Sequence, residues 1–121
     1  MMQGFVSRRK ALFPVTFRLP GQPDFMLEFV VDTGFSEFLT LPLAAVTAMQ
    51  LPFLYPMDAG LADGSAIQIS VYSATILWNG YERKISVVAT GRRPLLGTAL
   101  LDDQELRVRF RENDLVTVDE L

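Results

Sequence analysis

Between Ala11 and Val118, apolar residues recur at every second position over short runs, and the runs are cut by glycine, proline, Asp-Gly and Asn-Gly. A two-residue repeat lays one face of an extended backbone on a core, so a chain patterned this way folds as strands joined by tight turns. Ala11 to Leu19 is the first strand expected, "LPGQPD" turns the chain, and Phe25 to Asp32 runs back. In that second strand Phe25, Leu27, Phe29 and Val31 share one face, while Met26, Glu28, Val30 and Asp32 share the other. The helix signal is confined to "TLPLAAVTAMQLP", with Thr40 near the start, Pro42 in the first turn and Pro52 after the finish. Met57 to Ala89 reads as two hairpins, turning at Asp63-Gly64 and at Asn79-Gly80, residues that tolerate positive φ. "LLGTALLDD" holds at most one helical turn, and "LRVRF" and "LVTV" close the chain as strands. The expected fold is all-β with one or two short helices, and the 121 residues are expected to form a single domain.

That strand pattern delivers a carboxylate, Asp32, to the end of the apolar run "LEFVVD", with Thr33 and Gly34 behind it. An ionised carboxylate in apolar surroundings costs several kcal/mol unless hydrogen bonds or a partner compensate. Gly34 lets a backbone approach closely, and the Thr33 hydroxyl can lock the turn. The alternative is an ordinary strand-end aspartate whose oxygens accept N–H groups of the next turn.

Composition narrows the available chemistry. The chain has no histidine and no cysteine, which removes imidazole relays, thiol nucleophiles, disulfides and zinc sites built on either residue. Cofactor-free acid–base work would fall on Asp, Glu, Tyr or on Lys10 and Lys84. A net charge of −3 offers no basic face for nucleic acid. Without imidazole or metal, a second carboxylate beside Asp32 would make it useful, because two carboxylates that share a proton supply an acid and a base at one spot. Glu28 is not that partner: four strand residues separate it from Asp32 by roughly 13 Å.

Addressing signals are weak. Charges interrupt "MMQGFVSRRKALF" where a secretory segment needs its apolar stretch, and the terminal "VDEL" has no entry signal to accompany it. Phe38 to Met57 is uncharged, but Pro42, Pro52 and Pro56 would break a spanning helix. A cytoplasmic protein with no membrane span is expected.

"FVVDTGFSEFLTLP" taken with the downstream "PLLGTALL" resembles the retropepsin-like aspartic proteases, in particular their small single-domain members outside retroviruses. The pattern is an apolar run, Asp-Thr-Gly, and later two apolar residues and a glycine ahead of a short helix. The "LADGS" hairpin lies between the two motifs, where that family carries its flap, and in order and spacing the resemblance covers roughly Ala11 to Phe110. It implies a closed retropepsin-like β-barrel with one Asp-Thr-Gly lobe per chain. Asp32 would be the catalytic aspartate, Thr33 would bond across a two-fold axis to the partner loop, and Gly34 would hydrogen-bond through its backbone near the carboxylates or the substrate. Leu95, Leu96 and Gly97 would support the catalytic loop from beneath, and Ala62, Asp63, Gly64 and Ser65 would form the flap tip over bound peptide. Phe35 and Ser36, which follow Asp-Thr-Gly where many relatives carry Ala or Ser, would border the substrate. Thr98 stands where retroviral enzymes place an arginine that braces the dimer, so the brace here must differ.

The chain carries one Asp-Thr-Gly, since Asp63-Gly64 follows Ala62. The resemblance therefore implies an obligate two-fold homodimer, an aspartic endopeptidase that needs no cofactor or metal and takes a peptide or protein substrate. The competing expectation is a catalytically silent dimeric module that holds a peptide on the same fold, with bulky Phe35 narrowing the cleft.

Overall fold

The computed structural model describes residues 1–121. The order is β1 (Met2–Ser7), β2 (Lys10–Phe17), β3 (Phe25–Val31), β4 (Leu39–Leu41), α1 (Leu43–Met49), β5 (Phe53–Gly60), β6 (Ala66–Trp78), β7 (Tyr81–Ala89), β8 (Leu95–Leu96), α2 (Thr98–Leu101), β9 (Gln104–Val108) and β10 (Leu115–Glu120). All the strands join one sheet in the order β5-β6-β7-β4-β8-β3-β2-β1-β10-β9. β6 also pairs with β2, so the pairings from β6 through β7, β4, β8, β3 and β2 return to β6. The mostly β architecture with two short helices agrees with the reading of the sequence. Neither helix is long and apolar enough to cross a membrane.

The alternation works as expected in β2, where Ala11, Phe13, Val15 and Phe17 are buried and the residues between them are not. Phe17 stacks on Phe25 at 5.7 Å and meets Phe29 at 6.0 Å, while Phe13 meets Trp78 at 5.9 Å. Each fully buried ring contributes about 2–3 kcal/mol of transfer free energy, which makes this aromatic cluster the centre of the core. Asn79 and Gly80 both take positive φ, 53° and 82°, and close the β6–β7 hairpin.

Two local expectations fail. The first strand is expected at Ala11, yet β1 precedes it, pairs with β2 and β10, and turns through Arg8 and Arg9 at φ 51° and 64°. Arginine carries no turn signal; the strained pair is held from outside, by Glu112 Oε1 accepting the Arg8 N–H at 2.8 Å. Thr40, expected near the helix start, lies instead within β4 and is buried. Pro42 caps α1, consistent with its lack of an N–H to satisfy.

Candidate active site

Asp32 follows β3 directly, and its position is fixed by β8 rather than by its own neighbours. β8 lies between β3, which it meets in parallel with Val31 opposite Leu96, and β4, which it meets antiparallel with Leu39 opposite Leu96. The Asp32 N–H donates to the Leu96 carbonyl at 2.9 Å, and the Val30 N–H to that of Pro94 at 2.9 Å. Leu96, Leu39 and Leu41 are fully buried, so the strand pair beneath the loop is core.

The segment from Asp32 to Phe38 arches over the following turn. The Phe35 N–H donates to the Asp32 carbonyl at 3.1 Å, and the Gly34 N–H donates to Asp32 Oδ1 at 2.9 Å. The second bond alone is the Asx turn of an ordinary strand-end aspartate. What goes beyond it is the grip from the far side. The Gly97 N–H reaches the Phe38 carbonyl at 2.8 Å, the Thr98 N–H reaches that of Phe35 at 2.8 Å, and the Ala99 N–H that of Glu37 at 3.3 Å. Thr98 Oγ1 donates to the same Phe35 carbonyl at 3.3 Å. Arg83 of β7 lies 5.4 Å above the Phe38 ring and covers the arch's outer end.

Gly97 is required by contact. A Cβ there would collide with the Glu37 carbonyl and come within 2.6 Å of Phe35 Cδ2. The half-buried Phe35 ring therefore packs on Gly97 at the underside of the loop. Thr33, Gly34 and Ser36 are exposed, and Asp32 is half-buried.

Thr40 and Thr98 contribute contacts that the sequence does not advertise. The buried Thr40 hydroxyl accepts the Leu95 N–H at 3.0 Å and donates to the Arg93 carbonyl at 3.4 Å, which ties β4 to the chain entering β8. For Thr98, a hydroxyl directly after the glycine is the signal that could have been read; for Thr40, the flanking Leu39 and Leu41 could have marked a short strand.

The expected flap tip sits apart, where β5 and the first residues of β6 extend as a hairpin with both faces largely exposed, while Val71, Ala74, Ile76 and Trp78 farther along β6 are buried. Its hydrogen bonds are local: Leu61 N–H to Ser65 O at 2.8 Å, Gly64 N–H to Leu61 O at 3.0 Å, and Ser65 N–H and Oγ to Asp63 Oδ1 at 2.9 and 2.5 Å. The Ser65 hydroxyl, then its N–H, hold the Asp63 carboxyl below its ordinary range. Phe53, Leu54, Tyr55, Leu61 and Ile67 leave this hairpin with exposed apolar surface.

None of the chain's surface cavities is lined by Asp32, Thr33 or Gly34; the half-buried Asp32 sits beside the exposed Thr33 and Gly34. No three acidic side chains converge at metal-binding distance. Chemically, the single chain presents one rigidly aimed carboxylate and no second titratable group bonded to it.

No protein-family model matches the chain, and no curated protein matches it. Among solved structures it is similar to the crystal structure of a retropepsin-like aspartic protease from Rickettsia conorii, with a TM-score of 0.54 and 16% identity over 95% of this chain and 86% of that one. At that identity the likeness concerns architecture: this chain has a retropepsin-like fold.

Proposed function

We propose that the protein is an aspartic endopeptidase whose active site forms when two copies bring their Asp32 carboxylates together on a two-fold axis. The observation that carries this reading is the clamped loop: in a retropepsin-like fold, β8 and the start of α2 fix the half-buried Asp32 at the end of β3, with Thr33 exposed beside it. A half-site of this kind gains a cleft and a second carboxylate only from another copy. The ring of strand pairings that returns to β6 supports a barrel, and the β5–β6 hairpin supports a flap.

In this reading two carboxylates in contact hold one proton between them. The ionised one takes a proton from a bound water as its oxygen attacks the peptide carbonyl carbon, and the protonated one donates to the carbonyl oxygen. Collapse of the tetrahedral intermediate breaks the C–N bond, and the leaving amine takes a proton from the dyad. Leu61 to Ser65 close over the substrate, whose backbone adds as a strand beside the hairpin.

Asp32→Asn tests the reading in a mixed peptide library, with cleavage read by mass spectrometry at acidic and neutral pH. Cleavage by the parent and its loss in the variant are expected; equal cleavage by both ends the proposal. The silent binding module drew its support from the bulk of Phe35, and the packing of that ring on Gly97 does not favour it.

A further inference from the structure

We propose that the cavity between the β1–β2 turn and the β9–β10 turn binds a dianionic phosphate monoester, presented as a phosphorylated side chain of a peptide. The cavity, of about 300 Å³, is lined by Val6, Arg8, Arg9, Phe110, Arg111 and Glu112. That volume is at the lower end of ligand sites and suits one modified side chain rather than a folded partner. None of the residues of the Asp32 loop borders it.

Charge identifies the ligand. Three guanidiniums and one carboxylate line this space, a local excess of two positive charges on a chain whose net charge is −3. Arg18, Arg107 and Arg109 each pair with a carboxylate, whereas Arg8, Arg9 and Arg111 pair with none. Glu112 is already engaged: its Oε1 accepts the Arg8 N–H at 2.8 Å and its Oε2 accepts the Ser7 hydroxyl at 3.4 Å. Asp114, two residues on, is held by Arg109 at 3.5 Å and by the Leu115 N–H at 2.8 Å. A phosphate monoester carries a charge of about −1.5 to −2 at neutral pH and three acceptor oxygens, which matches both the excess charge and the donors. Guanidinium forks bind such a group bidentately, and a single carboxylate would leave one positive charge uncompensated.

The backbone that carries the three arginines is fixed before any ligand arrives. The Val6 N–H donates to the Asp114 carbonyl at 2.9 Å, the Asn113 N–H to the Val6 carbonyl at 2.7 Å and the Asp114 N–H to the Arg111 carbonyl at 2.9 Å, which sews the two turns together. Arg8 and Arg9, at φ 51° and 64°, are consecutive yet line one cavity. Ordering costs on binding then fall on the side chains alone. Phe110, 72% exposed, supplies an apolar wall for a residue flanking the phosphate. β2 runs antiparallel to β3 with Leu12 opposite Val30, so the β1–β2 turn lies at the end of the sheet where β3 releases Asp32. A peptide anchored by its phosphate is thus held at the end that carries the carboxylate.

The choice of a peptide rests on the proteolytic reading above, so the test measures binding separately from hydrolysis, in the parent and in Asp32→Asn. Fluorescence anisotropy is read on three labelled peptides that differ only in a central phosphoserine, serine or glutamate. The phosphoserine peptide is expected to bind both chains at least about tenfold more tightly than the other two, and to weaken as salt is raised. Arg9→Ala and Arg111→Ala should each weaken it by at least about fivefold and together remove the preference, while Arg111→Lys, which keeps the charge without the fork, recovers part of it. Melting curves for all chains exclude misfolding. No preference for phosphoserine, or variants that bind like the parent, would overturn the site. Inorganic phosphate that competes as tightly as the peptide would mark an adventitious ion only, and binding to phosphatidylserine vesicles without binding to the phosphopeptide would overturn the assignment in favour of a membrane. Phosphopeptide binding without cleavage by the parent removes the proteolytic reading alone; cleavage of the library without phosphopeptide preference removes this inference alone. Where the parent cleaves, loss of the arginines should raise KM for the phosphopeptide and leave kcat in place.

Discussion

Asp32 and Asp63 accept the same bond: Oδ1 of each takes the N–H two residues on, at 2.9 Å. The two turns differ in what lies behind them. Asp32 is backed by Leu96 and by the grip of Gly97 and Thr98 on the carbonyls of Phe35 and Phe38, whereas Asp63 is held by Ser65 at the end of an exposed hairpin. One local motif thus serves as a fixed point over the core and as a self-contained tip. A carboxylate needed at a set angle requires the first; a segment that must open and close requires the second.

The largest expected difference between the two is chemical. Asp32→Asn should lower kcat for peptide cleavage by about 10²- to 10⁴-fold, the usual worth of a positioned acid–base group, and Asp63→Asn should leave the chemical step in place. Similar losses in single-turnover assays of both variants would break the distinction. Next comes the packing under the loop: Gly97→Ala forces a Cβ onto the Glu37 carbonyl and Phe35 and should cost about 3 kcal/mol in urea unfolding. A smaller effect is expected for Thr40→Val, which leaves the Leu95 N–H without its acceptor, at about 1–3 kcal/mol.

Effects at the hairpin should be weaker and local. Around Gly64, at φ 85°, nothing lies within 4 Å of an added Cβ, so Gly64→Ala meets only the left-handed backbone penalty of about 1–2 kcal/mol. Amide exchange at Leu61 and Gly64 should rise while the urea midpoint moves little. The smallest effect concerns pH. Folded Asp63 is held below its ordinary range, so its bonds to Ser65 are fully present above about pH 4 and weaken as pH falls through the lowered folded value. Ser65 amide exchange followed on acidification should show this, and Asp63→Ala should abolish the dependence.

Much of this was legible before folding. The Asp32 position, the two hairpins and the α2 turn follow from alternation and turn chemistry, which act between near neighbours. Thr40 was not legible, because its role is a bond to Leu95, 55 residues away. Nor was β1, whose Arg8-Arg9 turn depends on Glu112, 104 residues from Arg8. The Phe35 ring could have pointed into a cleft or under the loop, and only its contact with Gly97 decides between them.

By itself the sequence determined which segments are extended, where they reverse and which carboxylate ends an apolar strand, since backbone sterics and side-chain alternation are set within a few residues. Tertiary structure alone decided that β8 enters between β3 and β4 and that Thr98 and Gly97 hold the Asp32 loop from below. The physical reason is range: these restraints are hydrogen bonds and close contacts between segments about 60 residues apart, as in the 63-residue span from Phe35 to Thr98. No local propensity encodes them.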